Sequence, residues 1–127
     1  MNSFRVCAVI PASAEQIYQA WLDAKSHAAM TGAEAGGSGE VGGEFSAWDG
    51  YITAKTLELV PNQRIVQSWR TSEFPAGDPD SRLVVEFETV EGGTQVTVDH
   101  SHIATGGDNY LQGWQDYYFT PMKAYFG

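Results

Sequence analysis

Asp108-Asn109-Tyr110-Leu111-Gln112-Gly113-Trp114-Gln115-Asp116-Tyr117-Tyr118-Phe119-Thr120-Pro121-Met122-Lys123-Ala124-Tyr125-Phe126 is the stretch that decides the fold. Apolar residues stand at 110, 111, 114, 117, 118, 122, 125 and 126, in steps of three and four. That spacing predicts one long helix with a wide apolar stripe, begun by Asp108 as N-cap. Seven of the chain's 16 aromatic residues lie in it, so the helix must rest on a large apolar surface. Pro121 removes one backbone donor and predicts a kink near Tyr117.

The rest of the chain supplies that surface. Residues 2–10 alternate, with Phe4, Val6, Ala8 and Ile10 on one parity, and read as a strand ended by Pro11. Arg5 and Val9 share the other parity with Cys7, which reads as a small buried hydrophobe. Ser13 and Gln16 fit a capping box ahead of Ile17, Tyr18, Trp21 and Leu22 at helical spacing. Asp23 is placed to cap a second short helix running to about Met30. Residues 32–43 carry six glycines and read as an irregular loop. They lack the Lys-Ser/Thr that completes a phosphate loop. Strands are expected at 45–48, 51–60, 63–70, 82–90 and 94–102. Asp49-Gly50, Pro61-Asn62 and Glu91-Gly92-Gly93 turn between them, with a polar loop over 71–81. Consecutive strands with short turns form an antiparallel sheet, and only the last helix is long enough to cover one of its faces.

With 127 residues, the chain reads as one domain over 1–127 with one core. Seven Lys+Arg against 16 Asp+Glu give a formal charge of −9. That charge argues against nucleic acid and anionic lipid as partners. No apolar run approaches a membrane span, and the first residues do not read as a signal peptide. Cys7 is the lone cysteine, so a reducing, cytoplasmic location is expected.

Strand parity selects candidate site residues. Val96, Val98, His100 and His102 share a face, and the valines mark it as the inner one. Both histidines are therefore expected to point into a cavity between sheet and helix, joined by Trp69, Phe74, Trp114 and Tyr118. The H-x-H spacing can hold a metal when a third ligand such as His27, Glu73 or Asp78 converges, but hydrogen bonding is the plainer reading. Glu86 and Glu88 share a face with Arg82 and read as solvated. Asp99 and Ser101 lie on the face opposite His100, so no Ser-His-Asp relay is expected from them. No catalytic residue, metal or cofactor is assigned. Arg64 and Arg70 share a parity, and parity does not decide whether they face a ligand or the surface acids.

Gly42-Gly43-Glu44-Phe45, Asp49-Gly50-Tyr51-Ile52 and the run from Leu57-Glu58-Leu59-Val60-Pro61-Asn62 to Trp69-Arg70 form a recurring signature. Gly113-Trp114, Tyr117-Tyr118 and Pro121-Met122-Lys123-Ala124-Tyr125-Phe126 complete it. The combination resembles the C-terminal domain of activators of the 90 kDa heat-shock chaperone's ATPase, within the SRPBCC (START-like, Bet v 1-like) superfamily. The resemblance implies an α+β helix-grip fold. A curved antiparallel sheet would wrap around the long C-terminal helix, with two short helices after the first strand and a pocket for an apolar or amphipathic small molecule. Eukaryotic activators carry a separate N-terminal domain that engages the chaperone, and the signature here matches the C-terminal domain alone. Three functions follow as expectations. The first is binding of such a molecule without catalysis. The second is a cyclase- or lyase-like enzyme using the pocket histidines or Tyr118. The third is a partner module for a chaperone in stress response, as monomer or homodimer.

Overall fold

The computed structural model describes residues 3–74, 77, 79–103 and 107–126, with the backbone alone for 107–109. Chain order is β1 (Phe4–Ile10), α1 (Ala14–Leu22), α2 (Ala24–Thr31), β2 (Gly36–Gly37), β3 (Glu44–Ala47), β4 (Ile52–Val60), β5 (Arg64–Thr71), β6 (Ser81–Val90) and β7 (Gly93–Ser101). The C-terminal helix follows as α3 (Gly107–Trp114), a π-turn (Gln115–Phe119) and α4 (Thr120–Phe126). The strands form one seven-stranded sheet in the order β1-β7-β6-β5-β4-β3-β2, and every neighbouring pair is antiparallel. This is the α+β helix-grip arrangement, with the C-terminal helix on the inner face of the curved sheet.

Local chemistry explains the elements. Ser13 accepts from the Gln16 backbone at 3.2 Å while Gln16 Oε1 accepts the Ser13 N–H at 3.0 Å, closing the expected capping box. Asp23 accepts from the Ser26 backbone at 3.0 Å and starts α2. Trp48, Asp49 and Gly50 all take positive φ, which turns β3 back onto β4 with Ala47 opposite Ile52. Inner positions of successive strands fill the core: Val6 and Ile10, Ile65 and Trp69, Leu83, Val85 and Phe87, Val96 and Val98. Arg82, Glu86 and Glu88 are exposed on the opposite face, as their parity predicts.

Four readings change. Gly36–Gly37 within the glycine-rich stretch pairs with Phe45 and Ser46 as a short edge strand. A side chain at Gly37 would overlap the Glu44 carbonyl, so close backbone approach is what the glycine provides. Cys7 is exposed rather than buried, because its parity faces outward beside Arg5 and Val9. The helix begins at Gly107, one residue ahead of the N-cap expected at Asp108, whose side chain lies outside the described atoms.

The fourth change concerns the stripe. Pro121 has no N–H for the Tyr117 carbonyl, and Thr120 N–H instead reaches back to Gln115 O, five residues away. The wide turn rotates the phase. Trp114, Tyr118, Phe119 and Met122 are buried, while Tyr117 is 58% and Tyr125 49% exposed. A π-turn stands where the kink was expected, and the apolar stripe is narrower than the spacing suggested. Asn2 and Asp78 lie outside the described residues. Among the described residues, no helix is long and apolar enough to cross a membrane.

Candidate functional site

The sheet–helix interface is built from rings. Trp114 and Tyr118 sit one turn apart with ring centroids at 4.7 Å. Trp21 from α1 stacks on both, at 6.0 and 5.1 Å. From the sheet side Trp69 meets Trp114 at 5.8 Å, Tyr110 at 5.1 Å and His100 at 4.5 Å. Phe74 closes the outer edge against Trp69 (6.1 Å) and Tyr110 (5.7 Å). Five of the six expected residues therefore meet in one cluster.

His102 is the exception, and its expected inward position is overturned. The β6–β7 ladder ends at Arg82 opposite Ser101, and β1 reaches no farther than His100. Past the last residue of β7, the chain turns at His102 into the left-handed region (φ 60°), leaving its ring exposed beside Ser101 Oγ at 3.0 Å. The H-x-H pair does not converge. Among the described residues, no three His, Cys, Asp or Glu side chains gather into a metal site.

Two buried histidines pin the helix, and their hydrogen bonds fix their tautomers. Trp114 Nε1–H donates to His100 Nδ1 at 3.2 Å. An indole nitrogen is donor only, so His100 carries its proton on Nε2 and donates it to Ser81 Oγ at 2.7 Å. Ser81 in turn donates to the Trp69 carbonyl at 2.7 Å. His27 is the mirror case. Its Nδ1 lies 2.9 Å from the Trp21 carbonyl and must donate there, so Nε2 accepts the Tyr118 hydroxyl at 2.9 Å.

The electrostatics agree with neutral rings. Burial lowers His100 from 6.5 to about 3. Burial also lowers His27, against a smaller upward pull from the Trp21 carbonyl. Desolvation raises Tyr118 well above the ordinary phenol range. The Ser81–His100 contact has the length of a nucleophile–base pair, but the imidazole already accepts at Nδ1 and donates at Nε2. It has no lone pair left to take a serine proton. Both His100 nitrogens are thus engaged, and the Tyr118 proton is held by His27 Nε2.

Among the described residues, the sheet–helix interface holds a slot of about 50 Å³ lined by Tyr51, Ile52, Trp69, Tyr110, Gly113, Trp114 and Tyr118. Its accessible lining is wholly apolar. Tyr51 donates its hydroxyl to Glu73 Oε2 at 2.9 Å, and Tyr110 shares a hydrogen bond with Thr71 at 2.7 Å. Burial and Glu73 push Tyr51 up to about 12. Ligand cavities usually enclose roughly 300–1,000 Å³, so side chains fill most of the expected pocket. A larger concavity, about 530 Å³ and open to solvent, lies on the other side of the sheet, where Glu44, Ser46, Thr53, Lys55, Ser68 and Asp80 line it. Arg70 is on that outer side, paired with Asp80 at 2.6 Å and over the Phe74 ring at 5.3 Å.

Sequence reasoning missed Tyr51, Gly113, Ser81 and the role of His27. Tyr51 follows the Asp49-Gly50 turn directly, and Gly113 is the one glycine between Tyr110 and Phe126, so both left a signal. Ser81 is located only by register, opposite Trp69. His27 sits on a helix with little apolar periodicity, and nothing in its sequence neighbourhood pointed to Tyr118.

A seven-stranded sheet gripping a C-terminal helix over an aromatic interface defines a START-like domain. More particularly, the chain belongs to the Activator of Hsp90 ATPase homolog 1-like protein family, which matches residues 11–127. It is 31% identical over 116 residues to the activators of 90 kDa heat shock protein ATPase homolog 1 of human and mouse. Those matches cover 91% of this chain and 34% of the relatives, so the chain spans about a third of their length. Among solved structures, an HSP90 activator from Plasmodium falciparum superposes with a TM-score of 0.86 at 25% identity, covering 98% of this chain and 95% of that one. The Aha1 dimer from Colwellia psychrerythraea shares the fold, with a TM-score of 0.75 at 24% identity over 92% of this chain and 90% of that one.

Proposed function

We propose that this domain is a protein-partner module that docks on an Hsp90-type chaperone. The observation that carries this reading is the filled interior. Stacked rings and two saturated histidines leave about 50 Å³ between sheet and helix. A carrier of lipids or polycyclic metabolites needs several times that volume, so the recognition chemistry belongs on the surface. The open depression beside Glu44, Lys55 and Asp80, together with a formal charge of −9, suits a partner with a basic face. Relatives named as activators of this chaperone's ATPase support the choice of partner.

The test is titration of a purified Hsp90-type chaperone with this chain while ATP hydrolysis is followed. The reading predicts saturable binding that weakens as salt rises, together with altered hydrolysis. Reversing charge in the outer depression with Glu44→Lys is predicted to reduce binding. Absence of binding at low ionic strength would overturn the proposal.

A second reading, binding of a small apolar or amphipathic molecule, is favoured by one observation, the wholly apolar lining of the slot. Its volume restricts any guest to a group of a few heavy atoms.

A further inference from the structure

We infer that the slot between Tyr51, Tyr110 and Gly113 receives a small alkylammonium group, best a trimethylammonium head, an inference that rests on the small-molecule reading above. Size selects first. One water-sized sphere takes about 10–15 Å³ of such space, so a slot of about 50 Å³ holds roughly four heavy atoms. A trimethylammonium head has one nitrogen and three carbons. Acyl chains and fused rings are too large.

Polarity selects next. A neutral polar guest would lose its hydrogen bonds against this lining and find no replacements. Water in the slot would be equally short of partners. An anion would meet ring faces, the Glu73 carboxylate and a net charge of −9. A methylated cation presents apolar methyl groups to the walls and a diffuse positive charge to the ring faces.

The walls suit that charge. Tyr51, Trp69, Tyr110, Trp114 and Tyr118 supply five aromatic side chains around one small space. Tryptophan and tyrosine faces attract cations within about 6 Å. Behind the wall residue Tyr51, Glu73 accepts its hydroxyl, and Thr71 accepts the Glu73 N–H at 3.2 Å. On the outer flank of the ring cluster stands Arg70, whose charge Asp80 offsets at 2.6 Å. Its guanidinium lies 5.3 Å over Phe74, a ring packed on Trp69 and Tyr110, so the cluster already engages one cation on its outer flank.

Gly113 lines the slot and adds no side chain to it. A Cβ there would lie 3.7 Å from the Tyr117 ring, ordinary contact, so the helix accepts a side chain at this position.

The test compares choline with its neutral isostere 3,3-dimethylbutan-1-ol, each titrated into the intact chain and followed by amide chemical shifts. Choline is expected to bind about tenfold more tightly than the alcohol, the size of one desolvated cation–π contact. Added salt is expected to weaken the choline complex alone. Gly113→Leu is expected to abolish both, and Glu73→Gln to weaken choline selectively. If Gly113→Leu misfolds, Tyr110→Leu serves instead, because it keeps apolar bulk and removes one ring. That variant is expected to lose choline and retain the alcohol. Equal or tighter binding of the alcohol would overturn the inference while leaving the small-molecule reading intact. Binding of neither probe would overturn both.

Discussion

Two neighbouring regions of the sheet–helix interface close in different ways. Around Trp114 and Tyr118, every buried polar atom of His27, His100, Ser81 and the two aromatic side chains has a partner. At the slot, which Trp114 and Tyr118 also line, the rings leave a gap with a wholly apolar lining, and the hydrogen bonds of Tyr51 to Glu73 and of Tyr110 to Thr71 lie outside that lining. The first region behaves as a lock, because each hydrogen bond fixes a tautomer or a rotamer that the next one needs. The second holds its tyrosines from outside, through Glu73 and Thr71, and leaves a gap. A domain can therefore keep a START-like frame while giving up most of the cavity that the frame allows.

The comparison predicts its largest effect in the locked region. Trp114→Ala removes a ring that packs on four others and leaves His100 Nδ1 without its donor. A loss of about 3–5 kcal/mol is expected in urea unfolding. A loss below 1 kcal/mol would show that the rings are not tightly packed.

Acid comes next. His100 is lowered by burial from 6.5 to about 3, so between those values the unfolded chain binds the proton and the folded chain does not. Its contribution is fully present above about pH 6.5 and is lost as pH falls toward the folded value. Lowering pH from about 6.5 to 4.5 is expected to remove about 2 kcal/mol through this ring. His27 acts in the same direction. The drop measured for His100→Gln should be smaller than for the parent chain, and an identical drop would contradict the assignment.

The slot region is expected to respond more gently and with the opposite sign. Gly113→Ala sits in a helix with room for a Cβ, so stability should rise by up to about 1 kcal/mol. The smallest effect belongs to His102, exposed and held by one neighbouring hydroxyl. His102→Ala should change stability by no more than about 0.5 kcal/mol, against a severalfold larger effect at His100.

The contrast between those two histidines also shows how far the sequence could be read. Parity correctly turned Val96, Val98 and His100 inward, because alternation follows from strand geometry alone. It failed one step later at His102. Alternation holds only while the strand lasts, and β7 ends at Ser101, after which His102 takes left-handed backbone. The C-terminal stripe was legible for Trp114, Tyr118 and Met122. It misplaced Tyr117 and Phe119, because a π-turn changes the phase that a 3.6-residue period assumes. Cys7 was misread although its own parity, shared with Arg5, already pointed outward. Ser81 and His27 act through contacts across 19 and 91 residues of sequence, where no local pattern reaches.

The most direct test of the locked interior is the ¹⁵N spectrum of the histidine side chains, followed from about pH 8 to about pH 6. The structure predicts opposite neutral tautomers, His27 protonated on Nδ1 and His100 on Nε2, both unchanged across that range. A His100 ring that gains a proton near its ordinary pKa, or that carries its proton on Nδ1, would contradict the account.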